Sequence, residues 1–208
     1  MKGNALKHWF VNSFWYHYKW YAIGGALAAA FVFFFVWELT HKEVPDVNFA
    51  VVVDASAGES QLDEMDQMAR EIIGDRNGDG KTIVYKTLLS FGNPSLEVAN
   101  RQRLPILFID DSCPLLFVDQ TTLDNFDEAV WRESFIPWAD VGLPGAPDTL
   151  VALDVSGWPV FARAELTDEP LYACLKRFDE KKLAKPETAR LWEAGAAFVK
   201  ALMEMNQP

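Results

Sequence analysis

Beyond His41 the chain has no histidine; its three are His8, His17 and His41. That absence excludes Ser-His-Asp and Cys-His catalysis, and any histidine-bearing zinc site, from the large C-terminal part. Cysteine is nearly as scarce. Cys113 and Cys174 stand alone, each beside apolar residues, as in Cys113-Pro114-Leu115-Leu116 and Tyr172-Ala173-Cys174-Leu175. A single bridge and two buried free thiols both fit such a setting. Positive charge is also short. With Lys2, Lys7, Lys19, Lys42, Glu38 and Glu43 set aside, 15 basic and 28 acidic side chains remain, a net of −13. This balance argues against nucleic acid as a partner and against a domain lying flat on anionic lipid, while it suits solubility or the binding of cations. No nucleophile motif, internal repeat or low-complexity tract is present. Asp110-Asp111, Asp119, Asp124 and Asp127-Glu128 read as ordinary loop and helix-face acids, and no pair of them stands out for carboxylate catalysis.

What the chain does have is an uninterrupted apolar run. Trp20 to Trp37, WYAIGGALAAAFVFFFVW, is 18 residues without a charge, set between Lys19 and Glu38. As a helix it is about 27 Å long, close to the hydrocarbon thickness of a bilayer. The expectation is a transmembrane signal-anchor helix over residues 20–39. Lys2, Lys7 and Lys19 precede the run without an acid, whereas Glu38, Glu43 and Asp46 follow it against Lys42 alone. The lysine bias places the N-terminus in the cytoplasm and the C-terminal domain outside, a single-pass protein of the cell membrane. A cleaved signal peptide fits less well, because the run is long and ends in Val36-Trp37-Glu38 without a small-x-small site.

Residues 1–19 are dense in aromatics, among them Trp9, Phe10, Phe14, Trp15, Tyr16 and Tyr18, interleaved with His8, His17 and Lys19. They read as a cytoplasmic collar at the headgroups of the lipid bilayer, and a membrane protein partner is the sharper alternative. Gly24, Gly25, Ala28 and Ala29 make small-xxx-small spacings within the run.

After a stalk over residues 40–47, residues 48–208 have the size of one domain. Asn48–Asp54 and Thr82–Leu88 are β-branched runs and predict strands, as does Leu115–Asp119. Ser60–Ile73 places Leu62, Met65, Ala69, Ile72 and Ile73 on one helical face, with Ser60 and Asp63 at capping-box spacing. Leu96–Asp110 is ambiguous, a helix opening at Pro94 or a short strand at Leu104–Ile109, with Pro105 opposing a straight helix. Thr121–Trp131 predicts a helix with Leu123, Phe126, Ala129 and Val130 inward, followed by a Pro- and Gly-rich loop over Pro137–Pro147. Thr149–Val155 and Pro159–Leu166 flank Ser156-Gly157 and predict a hairpin, and Leu171–Phe178 a last strand. Pro186–Met205 predicts a closing helix that buries Leu191, Ala194, Phe198, Val199 and Leu202, with Gly195 admitting a close neighbour. The fold class expected is α/β: an N-terminal transmembrane helix plus one extracytoplasmic α/β sandwich domain, its central sheet covered by helices.

Asp75-Arg76-Asn77-Gly78-Asp79-Gly80-Lys81 is the strongest motif. Oxygen side chains at alternate positions before a glycine begin a calcium loop, so Asp75, Asn77 and Asp79 are the candidate metal ligands and calcium the one candidate cofactor. Position twelve is Lys86, however, where a bidentate carboxylate is needed. The competing reading is a tight turn with positive φ at the glycines.

The segment FWYHYKWYAIGG, with DRNGDGK before a strand, resembles a group of membrane-anchored bacterial proteins of no assigned activity that share an F-W-Y-x-Y-K-W collar and a D-x-N-x-D-G-K loop. A weaker likeness is to a single lobe of extracellular solute-binding proteins, which implies ligand capture by half of a two-lobed clamp. The expectation from residues and resemblance together is a membrane-anchored extracytoplasmic binding or assembly module, leaning non-enzymatic. The alternatives are a carboxylate-dependent hydrolase and an accessory subunit of a membrane complex.

Overall fold

The computed structural model describes residues 15–40, 43–143 and 148–206. The collar residues Trp9, Phe10 and Phe14, and residues 144–147 of the Pro- and Gly-rich loop, lie outside them. The chain divides into two compact units, Met1–Glu43 and Val44–Pro208. In the first, helix α1 (Trp15–Thr40) contains one stretch, Tyr18–Glu38, long and apolar enough to cross a membrane. From Trp20 to Glu38 its side chains are exposed all round, Trp20 at 73% and Phe31 at 72%. A helix apolar on every face lacks the polar stripe that would suit it to water.

The second unit is built on a five-stranded mixed sheet. Its strands are β1 (Val47–Val53), β2 (Val84–Ser90), β3 (Leu115–Asp119), β4 (Ala152–Asp154) and β5 (Leu171–Leu175), in the order β2-β1-β3-β5-β4. β1 runs parallel to both neighbours, with Val47 opposite Val84 and Phe49 opposite Leu115; β5 is antiparallel to β3 and to β4. All seven residues of β1 are buried. Six of them are apolar, Asn48 being the exception, as suits a strand covered on both faces.

The two faces are covered by different helices. Phe49, Val51 and Val53 point to one side, where they meet α2 (Asp63–Ile73), α6 (Pro159–Ala164) and α8 (Pro186–Met205). Ala50 and Val52 point to the other, which is covered by α3 (Pro94–Ile109), α4 (Gln120–Asp124) and α5 (Glu128–Ser134). A short α7 (Glu180–Leu183) precedes α8. The domain is thus an α/β sandwich as expected, and α8 has the predicted ends and the predicted buried face. A Cβ on Gly195 would lie 3.2 Å from Leu115 Cβ, so the glycine lets α8 sit close on β3.

Several local expectations are corrected. Pro159–Leu166 is not a strand: Pro159 opens α6 at its first turn, Val160, Phe161 and Ala164 are buried at helical spacing, and β4 pairs instead with β5. The capping at the start of the α2 region uses Gln61, whose Oε1 accepts from Gly58 N at 2.7 Å, in place of Ser60 and Asp63. Thr121–Trp131 breaks into α4 and α5, and Asp119 and Asp127 each cap their own helix. That break turns Ala129 and Val130 outward and buries Trp131, at 3% exposure. Leu96–Asp110 resolves as helix α3 despite Pro105. Both cysteines are free and buried, and burial pushes the Cys113 thiol up to about 12 and raises that of Cys174 further.

Candidate functional site

From the end of β1 the chain passes through α2 to β2 on one side, then returns through α3 to β3 on the other. The two crossovers leave a crevice beyond the carboxyl ends of β1 and β3, the place where open α/β sheets hold ligands. A cleft of about 650 Å³ lies there. Asp54, just past β1, and Phe91, just past β2, line it together with Thr122 and Asn125 from the segment after β3. Leu104 and Phe108 of α3, and Phe126 and Val130 near α5, supply its apolar wall.

Each wall has a local cause. Asp119 is fully buried at the end of β3; its Oδ1 accepts from Thr122 N at 2.9 Å and its Oδ2 from Asp54 N at 2.5 Å. One carboxylate therefore starts α4 and ties the carboxyl ends of β1 and β3 together. Ser90 fixes the loop after β1 by donating to Ala55 O at 2.6 Å and accepting from Ala57 N at 3.1 Å. Gly92 is required beside it, since a Cβ there would lie 2.4 Å from Ser56 N. Behind the cleft Phe108, Phe126, Trp131 and Phe135 pack ring on ring, with Phe108 and Phe126 centroids 5.1 Å apart. The Trp131 indole donates to Leu123 O at 2.9 Å, so its polar edge is satisfied.

Two charges border the cleft. Arg101 lies over the Phe91 ring, 5.6 Å from its centroid, and is held by Glu97 at 2.9 Å. The Asp54 side chain is exposed and makes no hydrogen bond or ion pair among the described residues. None of these lining residues stood out in the sequence as a site; the legible signal was the position of Asp54 at the end of a buried apolar run.

A second cleft of about 520 Å³ is lined by Glu165, Asp168 and Glu169 with Ser156. Both oxygens of Glu169 accept from Thr121, from its hydroxyl at 2.7 Å and its backbone N–H at 2.8 Å, and these bonds hold the carboxyl below its usual range. A carboxyl so held is a poor proton donor. The Ser156 hydroxyl is turned to Asp154 Oδ1 at 2.6 Å.

Asp75, Asn77 and Asp79 are brought together in one loop whose side chains accept from its own backbone. Asp75 takes Gly78 N at 2.6 Å and Gly80 N at 2.8 Å, and these N–H groups hold its carboxyl below the usual range. Asn77 Oδ1 accepts from Asp79 N, Asp79 Oδ1 from Lys81 N, each at 2.8 Å, and Gly78 and Gly80 have positive φ. Among the described residues no group of three histidine, cysteine or carboxylate side chains is placed to hold a metal. Lys86, at the twelfth position, reaches across to Asp63 at 2.6 Å. The expected result is a melting temperature of the Val44–Pro208 fragment that is the same in calcium and in chelator. A calcium site filled at about one hundred times its dissociation constant would add about 2.7 kcal/mol, several degrees in a domain of this size. A calcium-dependent rise that disappears in Asp75→Ala would establish the site.

No family model, no curated protein and no solved structure matches the chain.

Proposed function

We propose that the chain is a membrane-anchored, non-enzymatic binding module, held by Tyr18–Glu38 with its N-terminus in the cytoplasm, whose C-terminal domain captures a small amphipathic molecule outside. The cleft at the carboxyl ends of β1 and β3 carries this reading, because its size and mostly apolar lining with a few polar groups at the rim are those of a small-molecule site. The non-enzymatic part is supported by its chemistry. Among the described residues Asp54 is the only carboxylate lining that cleft, and Asp119 beside it has both oxygens engaged, so those residues do not form the two-carboxylate arrangement of a hydrolase there. The lysine asymmetry around α1 supports the orientation.

Asp54 gives the rim a free negative charge in a domain already acidic, which favours a ligand with an apolar body and a positive end. Phenylbutylamine, phenylbutanol and phenylbutyrate share one body and differ in that end. In saturation-transfer NMR with the Val44–Pro208 fragment the amine is expected to bind best and the acid worst, and Ser134→Trp, which fills the cleft, to weaken the amine at least about tenfold. Equal binding to the Ser134→Trp variant would remove the cleft from the account.

A further inference from the structure

Among the described residues outside α1, seven large apolar side chains are exposed, and four of them belong to α3. Val98, Ile106 and Ile109 are 69%, 61% and 75% exposed, and Leu96 is 49% exposed. Val98, Gln102, Ile106 and Ile109 follow one another at helical spacing, so they share a face, and that face carries no charge. A helix covering a sheet of a water-soluble domain puts polar side chains outward. α3 puts apolar ones there too: Val98, Ile106 and Ile109 stand outward beside Arg101, Gln102 and Arg103, while Leu107 is buried and Leu104 and Phe108 pack partly against the sheet side. Arg101 and Arg103 flank the apolar face, and the helix's one acid, Glu97, is turned to Arg101.

We propose that this face of α3 lies in the headgroup layer of the bilayer, resting on the reading of Tyr18–Glu38 as an anchor. An apolar stripe bordered by arginines is the chemistry of an interfacial helix, whose aliphatic side chains enter the acyl boundary while the guanidinium groups reach phosphate. The chain also brings it within reach. Eight residues separate Glu38 from Val47, where β1 begins, a reach of at most about 30 Å. α3 runs from the carboxyl edge of the sheet back to its amino edge, the edge at which the stalk enters. Its C-terminal end is pinned there by Lys176, whose ammonium donates to Leu107 O and, at 2.8 Å, to Asp110 O. Ile106 and Ile109 are therefore on the stalk side of the domain. The surplus of acids on the rest of the domain sets the orientation, because it keeps the other faces off an anionic surface while α3 offers that surface two arginines.

The test uses the full chain, one copy per nanodisc of phosphatidylcholine and phosphatidylglycerol, with a bimane label at Ile106→Cys, at Val98→Cys, or at Glu193→Cys on α8 across the sheet. Cys113 and Cys174 are 2% and 0% exposed and stay unlabelled in the folded protein. Doxyl-lipid quenching is expected to be severalfold stronger at residues 106 and 98 than at 193, and to fall in the Arg101→Glu/Arg103→Glu variant. Equal quenching at all three positions, in a chain that stays in the discs after a carbonate wash, would overturn the docking alone. Loss of the chain from the discs would overturn the anchor and the docking with it. Shielding of residue 106 that arises only in discs holding two copies would assign the face to a second chain instead.

Discussion

Phe198→Ala is expected to destabilise the Val44–Pro208 fragment by about 3 to 5 kcal/mol, read as a lowered midpoint of urea unfolding at unchanged slope. Phe198 is fully buried and stacks on Phe49 with centroids 6.2 Å apart, and Phe49 in turn meets Phe117 edge-on at 5.9 Å. Three elements, α8, β1 and β3, thus share one aromatic column at the centre of the sheet. The site has little freedom to collapse around a removed ring, because at Gly195, one turn away, α8 is already so close to β3 that a Cβ there would lie 3.2 Å from Leu115 Cβ. A loss under about 1 kcal/mol would mean that the face of α8 carrying Phe198 does not pack on the sheet. The same substitution should leave the affinity of the cleft nearly unchanged, since Phe198 belongs to the opposite face.

Much of the fold could be read directly where one period dominated the sequence. β1 is apolar but for Asn48 because both its faces are covered, and α8 repeats its apolar residues over 20 residues between Pro186 and Asn206. Short elements were harder. α6 has six residues, fewer than two turns, and its Pro159 serves a helix start as readily as a strand edge. α3 was ambiguous for a different reason: its apolar residues lie on two faces, so no single stripe declares a helix. That ambiguity is itself the mark of the outward face.

The cleft was illegible because it is a product of topology. Asp54, Phe91 and Thr122 follow three different strands and meet only when β1 takes the centre between β2 and β3. Asp119 looked like an ordinary acid at the end of a strand, and only the fold shows that it joins two strand ends.

Asp46→Ala is expected to cost about 3 kcal/mol or more in the same unfolding measurement, with Asp46→Asn intermediate. Asp46 reads in the sequence as one more acid of the stalk, but it is fully buried and accepts three backbone N–H groups: Arg76 at 2.8 Å and Asn77 at 3.0 Å through Oδ1, and Ile83 at 2.9 Å through Oδ2. Those donors stand 30 to 37 residues away in the chain, which is why no local pattern announces them. Removing the carboxylate leaves three part-buried N–H groups without their acceptor, and since a fully buried donor left unpaired costs about 1 to 3 kcal/mol, the three together lose about 3 kcal/mol. The asparagine keeps one accepting oxygen but turns an N–H₂ toward donors, so it recovers only part. Asn77 completes the joint by donating to Val44 O at 2.8 Å, which ties the DRNGDGK loop to the point where the stalk enters the domain. Hydrogen exchange should therefore quicken at Arg76, Asn77 and Ile83 in Asp46→Ala while the β3 amides stay protected. Uniform loss of protection across the sheet would instead make Asp46 a support of the whole core, and the loop a passive bystander.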